Sequence, residues 1–239
     1  MKWATHAVVL PGTGSDAHFA HDAFASALTS VGTTTLAVDP DPRRVVASYE
    51  DALDDAVRSH GPILVGGISI GAAVAVSWAR EHPGAVVGVL AALPPWLGEP
   101  ADAPAALSAR YTSARLHELG LAEVTAGMTA SSPTWLSDTL TRSWASQWPD
   151  LPSALDEAAN YVAPTIDELR RTAAPTAIVA AVDDPVHPVD VGRTWHAELQ
   201  KSALTTVTLD EIGSDPGVLG RRTVHALASL LQNRADRPD

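Results

Sequence analysis

The chain contains no cysteine. Disulfides, thiolate metal sites and cysteine nucleophiles are therefore excluded. Long hydrophobic runs are missing as well. The opening stretch MKWATHAVVLPGTG carries one lysine and an apolar run too short for a signal-peptide core or a membrane span. A cytoplasmic protein with no membrane partner is expected on that ground. Basic clusters are scarce too. The net charge is -12, so no nucleic-acid partner is expected, because phosphate binding needs concentrated positive charge. The acidity reads as plain solubility rather than as steering of a ligand. Arg110, Arg115 and Arg170-Arg171 read as solvated surface. No repeat or low-complexity tract is present, and the tail Asn233–Asp239 is expected to fray.

What remains is a chain of 239 residues, 46% hydrophobic and 18% charged. That suffices for one large α/β domain, or for a domain with an inserted subdomain. Apolar strands are predicted at Thr5–Leu10, Thr33–Val38, from Ile63, and at Ala85–Ala92. Between them, helical spacing covers about His18–Ser30 and Val45–Ser59, where Val46, Tyr49, Leu53 and Val57 recur. Strands alternating with helices imply a mainly parallel sheet covered on both faces.

From Pro94 to about Pro164 the pattern changes to helix formers and prolines, with helices predicted near 104–119, 122–130, 133–147 and 153–161. Residues 94–164 are expected to form a helical cap inserted into a core of residues 1–93 and 165–239. This insertion holds Trp96, Trp135, Trp144 and Trp148. Trp96, Trp135 and Trp144 are candidates for lining an apolar substrate pocket, although core packing is the ordinary role of such side chains. Strands resume at Pro175–Val182 and Leu204–Leu209. A helix is predicted over about Asp190–Lys201, Asp210–Pro216 reads as a loop, and a last helix ends near Gln232.

The chemistry is concentrated at Ile63–Arg80. A short apolar strand meets Gly66-Gly67, and a small-residue helix begins at about Ile70. Between them, Gly67-Ile68-Ser69-Ile70-Gly71 is a G-x-S-x-G sequence, the pattern of a nucleophile elbow. A sharp strand-to-helix turn exposes the serine hydroxyl, and glycine at the two outer positions avoids collision. The helix N-terminus offers free N–H groups to a developing negative charge. The plain alternative is a glycine-rich turn with an incidental serine.

Taken with the glycine loop after the first strand, the inserted helices and the Asp-Pro-x-x-Pro loop at Asp184, this elbow makes the chain resemble the α/β-hydrolase superfamily over nearly its whole length. The resemblance implies a doubly wound, mainly parallel sheet of about six strands, without the two leading antiparallel strands usual in the family. It implies Ser69 as nucleophile, the Ile70 N–H as one oxyanion donor, Thr13 or Gly14 as the other, and Asp184 as the acid, with Asp183 a second choice. Pro11 stands where families often have histidine.

One departure is large. The family places its histidine in the loop after the last strand, where this chain has Gly213-Ser214-Asp215. Among nine histidines, His187 in the acid loop is the first candidate base. A rearranged triad follows as an expectation: Ser69, His187 and a carboxylate from Asp215 or Asp184, since triads are defined by geometry rather than chain order. His18 and His21 flank the glycine loop as weaker candidates, and His225 falls within the last helix.

The expected activity is hydrolysis of a small apolar ester, thioester or lactone through an acyl-enzyme, with a small-molecule substrate and no cofactor. The alternative keeps the fold without the hydrolysis, as a lyase, a cyclase or a ligand-binding protein. A dinucleotide site is a third reading, from Gly12-Thr13-Gly14-Ser15-Asp16-Ala17 and Asp39. Acidic residues there would repel phosphates, and no Tyr-x-x-x-Lys pair is present. No metal is expected at the Asp183, Asp184, His187 and Asp190 group, because prolines fix that loop.

Overall fold

A computed structural model describes residues 3–232; the tail expected to fray lies outside the described residues. The strands are β1 (His6–Leu10), β2 (Thr34–Ala37), β3 (Ile63–Ile68), β4 (Val86–Ala92), β5 (Thr176–Ala181) and β6 (Ser202–Val207). They form one six-stranded sheet in the order β2-β1-β3-β4-β5-β6. Every pairing is parallel.

Alternate residues of each strand serve opposite cores, as the two-residue strand period requires. Val8 and Leu10 pack with Tyr49 and Leu53 of α2 (Val45–His60) and with α3 (Ile70–Glu81). Ala7 and Val9 pack instead with Phe24 and Leu28 of α1 (Ala17–Ser30), and with Leu219 and Leu227 of α10 (Gly217–Gln232). The sheet is therefore doubly wound. The chain leaves β1 for β2 on one side and returns to β3 on the other. This reversal opens a crevice at the carboxyl ends of β1 and β3, where α/β sheets hold their ligands.

The stretch between β4 and β5 is helical: α4 (Pro104–Ser131), α5 (Thr134–Gln147), α6 (Leu151–Ala159) and the short α7 (Ile166–Arg171). Gly120, at φ 78°, breaks α4 into the two helices expected there. Ala109, Leu116, Trp144, Leu151 and Leu155 form a small core within this stretch. Both oxygens of Glu157 on α6 accept from the first N–H groups of α2, Val45 (2.7 Å) and Val46 (3.0 Å), a favourable place for a carboxylate.

Three predicted elements are corrected. The β3 strand does not stop at Gly66-Gly67 but runs to Ile68. These glycines are packing residues: a methyl on Gly67 would come within 2.6 Å of the Ala72 N and overlap Gly71, and one on Gly71 would come within 2.5 Å of the Leu10 carbonyl oxygen. The loop at Asp210–Pro216 is mostly a helix, α9 (Leu209–Ser214), started by a capping box of Thr208 and Glu211. The overlooked α7 starts on the same device, at Thr165 and Glu168. The remaining helix, α8 (Val189–Glu198), ends earlier than its periodicity suggested.

Gly67→Ala is expected to destabilise the fold by about 3 kcal/mol or more, because the added carbon meets backbone rather than a yielding side chain. Gly84→Ala, where nothing lies within 4 Å, is expected to stay within about 0.5 kcal/mol. Thermal melts of both variants beside the native protein check this, and equal melting temperatures would refute it.

Candidate active site

Ser69 sits between β3 and α3 with φ 54° and ψ −118°. Positive φ is costly for a residue with a side chain and persists only where the surroundings hold it. Here they do. Gly67 and Gly71 let α3 close against β3 and the end of β1, and the Ser69 N–H donates to the Ala92 carbonyl at 2.9 Å. Leu93 next to it also has positive φ, 51°, and lines the same cleft.

The Ser69 Oγ lies 2.9 Å from the His187 Nε2. The His187 Nδ1 lies 2.8 Å from the Asp184 Oδ2. The other Asp184 oxygen accepts from the backbone N–H groups of Val186 (2.7 Å) and His187 (3.2 Å). Acid and imidazole are thus three residues apart on one tight turn, Asp184-Pro185-Val186-His187-Pro188, at the end of β5. Burial works against ionisation of Asp184. The hydrogen bond and charge of His187, with the two backbone N–H groups, outweigh it and hold its pKa below the ordinary 3.8. An ionised carboxylate only accepts, so the ring must carry its proton on Nδ1. In the neutral ring Nε2 is then the acceptor, and the Ser69 hydroxyl donates to it.

Next to the serine runs the glycine loop after β1. A methyl on Gly12 would come within 3.5 Å of the Ser69 Cβ. The loop is held from below by the buried Tyr49, whose hydroxyl donates to the Pro11 carbonyl at 3.1 Å. Burial, then the charges of Glu157 and Asp39, push the Tyr49 pKa up, so it stays a donor. Neither the Thr13 nor the Gly14 N–H donates to another described residue. The Ile70 N–H, in the first turn of α3, has no intrahelical acceptor.

These groups open on a cavity of about 500 Å³. Trp135 and Trp144 line it, together with Phe19, Leu136 and Leu140; among the described residues the ionisable lining side chains are Asp184 and His187. Phe19 stacks on Trp135 with ring centroids 6.2 Å apart. Ser15, Leu155, Val186 and Ile212 also line it, which sequence reasoning missed, because no local pattern marks a side chain that meets the others only in the fold.

Two candidates are placed elsewhere. Asp215 ends α9, where its carboxylate accepts from the Gly217 N–H at 2.9 Å and pairs with Arg221 at 2.8 Å. It does not join the imidazole, because its carboxylate is held by Gly217 and Arg221 of α10 while Asp184 takes the ring. Trp96 is not in the cavity wall but in the sheet core, its indole N–H donating to the Tyr161 carbonyl at 3.2 Å. Asp183 accepts from the Leu209 N–H at 2.9 Å. His18, His21 and His225 are exposed.

The dinucleotide reading fares poorly on geometry. The first N–H groups of α1 are already spent on carboxylates: Phe19 donates to Asp16 at 2.9 Å and Ala17 to Asp39 at 3.2 Å. Among the described residues, no group of three or more His, Cys, Asp or Glu side chains is placed to hold a metal ion. No described helix is long and apolar enough to cross a membrane.

Residues 3–218 match the model of the Alpha/beta hydrolase family. The chain belongs to that family. No curated protein matches it in sequence. Among solved structures, it is similar to the enol-lactonase from Burkholderia xenovorans LB400, at 12% identity over 97% of this chain and 92% of that one, with a TM-score of 0.72. A putative non-heme bromoperoxidase, BpoC from Mycobacterium tuberculosis H37Rv, superposes with a TM-score of 0.69 at 18% identity, covering 94% of this chain and 92% of that one. A thermophilic esterase from Thermogutta terrifontis gives 0.68 at 16% identity, covering 98% and 91%. At such identities the likeness is one of α/β-hydrolase fold, and a fold of this kind hosts several chemistries.

The depressed pKa of Asp184 makes its carboxylate a source of stability above the ordinary value of 3.8, lost as pH falls through the lower folded value. Asp184→Asn is therefore expected to lower the melting temperature at pH 7 and to flatten its decline under acid. Parallel melting curves for native and variant protein from pH 7 to about pH 2 would contradict this.

Proposed function

We propose that this member of the family is a serine hydrolase acting on a small uncharged ester, thioester or lactone through an acyl-enzyme. The observation that supports it most is the unbroken hydrogen-bonded line Ser69–His187–Asp184, at 2.9 and 2.8 Å, opening on an apolar cavity. The esterase and enol-lactonase among the structural neighbours are consistent with this substrate range.

In this reading His187 Nε2 takes the Ser69 proton as Oγ attacks the substrate carbonyl carbon. The carbonyl oxygen becomes an oxyanion, held by the N–H groups of Ile70 and of Thr13 or Gly14. Such preorganised donors typically lower the barrier by about 3–4 kcal/mol each. Collapse of the adduct expels the alcohol or thiol, which receives the proton from His187, and leaves the acyl group on Oγ. In a lactone the leaving alcohol stays attached to the acyl chain. Water, deprotonated by His187, then attacks the acyl carbon. The serine leaves with that proton, and the carboxylic acid departs. Asp184 keeps the ring in the productive tautomer and stabilises the imidazolium that forms in each half.

Residues 94–164 serve as the cap that keeps the cleft apolar, with the described residues on either side of them as the core. Among the described residues the wall offers no Lys or Arg to an acyl carboxylate or phosphate, so the substrate is neutral near the reacting carbonyl. The non-hydrolytic alternative rested on the lack of a histidine at Ser214. A ring nitrogen in hydrogen-bond reach of Ser69 removes that ground.

Turnover of short p-nitrophenyl esters checks the assignment. Ser69→Ala and His187→Ala are each expected to lower kcat by about a thousandfold or more, since members of such a unit fail together. Asp215→Asn is expected to leave kcat within about twofold. Activity that survives Ser69→Ala would defeat the proposal. A loss with Asp215→Asn equal to that with Asp184→Asn would reassign the acid.

A further inference from the structure

The loop expected to carry the second oxyanion donor is not held by the core alone. Helix α5, from the inserted stretch, grips it at three successive points. The Arg142 guanidinium makes a two-pronged pair with Asp16, Nε to Oδ2 at 2.8 Å and an Nη to Oδ1 at 3.1 Å. The Gln147 side-chain amide donates to the Ser15 carbonyl at 3.0 Å and to the Ser143 hydroxyl at 2.8 Å. Between them the Trp144 indole lies on Gly14, so close that a methyl there would come within 2.9 Å of the indole nitrogen. Gly14 itself is at φ 67°.

Each contact has a physical consequence for the loop. A guanidinium–carboxylate fork fixes orientation as well as distance, which a single point charge does not. Its carboxylate side is largely buried, at 11% exposure, with the arginine at 44%. Burial opposes ionisation of Asp16, but Arg142 and the Phe19 N–H hold its pKa below the ordinary value, so the pair is charged at neutral pH. Gln147 fixes the peptide between Ser15 and Asp16, and the indole closes the left-handed turn at Gly14 from above. The Trp144 nitrogen and the Ser15 hydroxyl have no hydrogen-bond partner among the described residues, and both side chains belong to the cavity wall.

We propose that Arg142 is a positioning residue for the oxyanion hole: through Asp16 it locks the Thr13–Gly14 peptide beside Ser69, and so couples the seating of the inserted helices to the readiness of the site. The proposal rests on the serine-hydrolase reading above. An oxyanion donor acts in the transition state, and a displacement of about an ångström costs rate by orders of magnitude while leaving ground-state binding nearly intact. Loss of the fork therefore lowers kcat without raising KM.

The test uses the whole chain and a short p-nitrophenyl ester, with an alkyl boronic acid as a mimic of the tetrahedral adduct. Arg142→Ala is expected to reduce kcat about tenfold or more, keep KM within about twofold, and weaken boronic-acid inhibition in proportion to the loss in kcat/KM. Arg142→Lys recovers only part, because it lacks the fork. Asp16→Asn keeps the α1 cap and is expected to show the same defect, and the double variant is no worse than either single one. Each assay runs well below the variant's own melting temperature, so a general loss of folding appears in the melt rather than in kcat. Should Arg142→Ala fail to fold, Asp16→Asn carries the same comparison alone. Unchanged kcat, a defect confined to KM, or additive losses in the double variant would overturn the proposal. A native protein that neither turns over the ester nor labels at Ser69 with a fluorophosphonate would instead overturn the hydrolase reading, and is told apart because it needs no variant of Arg142.

Discussion

One carboxylate organises the candidate site. Asp184 spends one oxygen on the backbone N–H groups of its own turn and the other on the imidazole three residues later. The first pair of bonds gives the turn its shape, and the third aims the ring. The same charge therefore builds the loop and sets the tautomer that Ser69 needs. Pro185 and Pro188 limit the backbone of that turn, so little conformational entropy remains for ordering to remove. Acid and base then reach the serine from one strand end, β5, instead of two.

Placing both groups on one turn leaves the corner after β6 free of catalytic duty. That corner folds as α9, started by the Thr208–Glu211 box and finished at Asp215, whose charge is engaged with Arg221 on α10. Ile212 of α9 contributes to the cavity wall. The corner thus supplies apolar surface while the acid loop supplies the imidazole beside Ser69.

Much of this was legible in the residues. Alternating strands and helices foretold a mainly parallel sheet covered on both faces, the resemblance to the α/β-hydrolases foretold about six doubly wound strands, and Gly67-x-Ser69-x-Gly71 foretold the turn at Ser69, because steric exclusion at those positions is local. The pairing of His187 with Asp184 rather than Asp215 was harder. It depends on which way a carboxylate faces once α9 has formed, although the Thr-x-x-Glu signature of that helix stands in the sequence. The tryptophans show the limit most clearly. Trp96 and Trp144 are the same residue type, equally buried at 5% exposure, yet one fills the sheet core and the other walls the cavity. Only the packing of α4, α5 and α6 separates them. Gly66-Gly67 misled in the opposite direction: glycines that look like the end of a strand are packing residues, Gly67 against the backbone of α3 and Gly66 against Val9 of the neighbouring strand.

The electrostatics of the cleft follow from the same economy of charge. The chain carries a net charge of -12, yet its cavity wall presents a single carboxylate, and that one is already engaged by three hydrogen-bond donors. Arg142 of α5 is paired with Asp16. In the proposed reaction, an incoming neutral ester meets no Lys or Arg side chain in the described wall before the oxyanion forms. At that moment the nearest donors are backbone N–H groups in a region of low dielectric, where fixed dipoles act strongly on a developing charge. A free cation in the wall would bind an anionic substrate or product tightly and uniformly, which lowers KM without lowering the chemical barrier. On the proposed mechanism, leaving it out concentrates the attraction on the transition state, and makes the position of the Thr13–Gly14 peptide a quantity on which the rate depends.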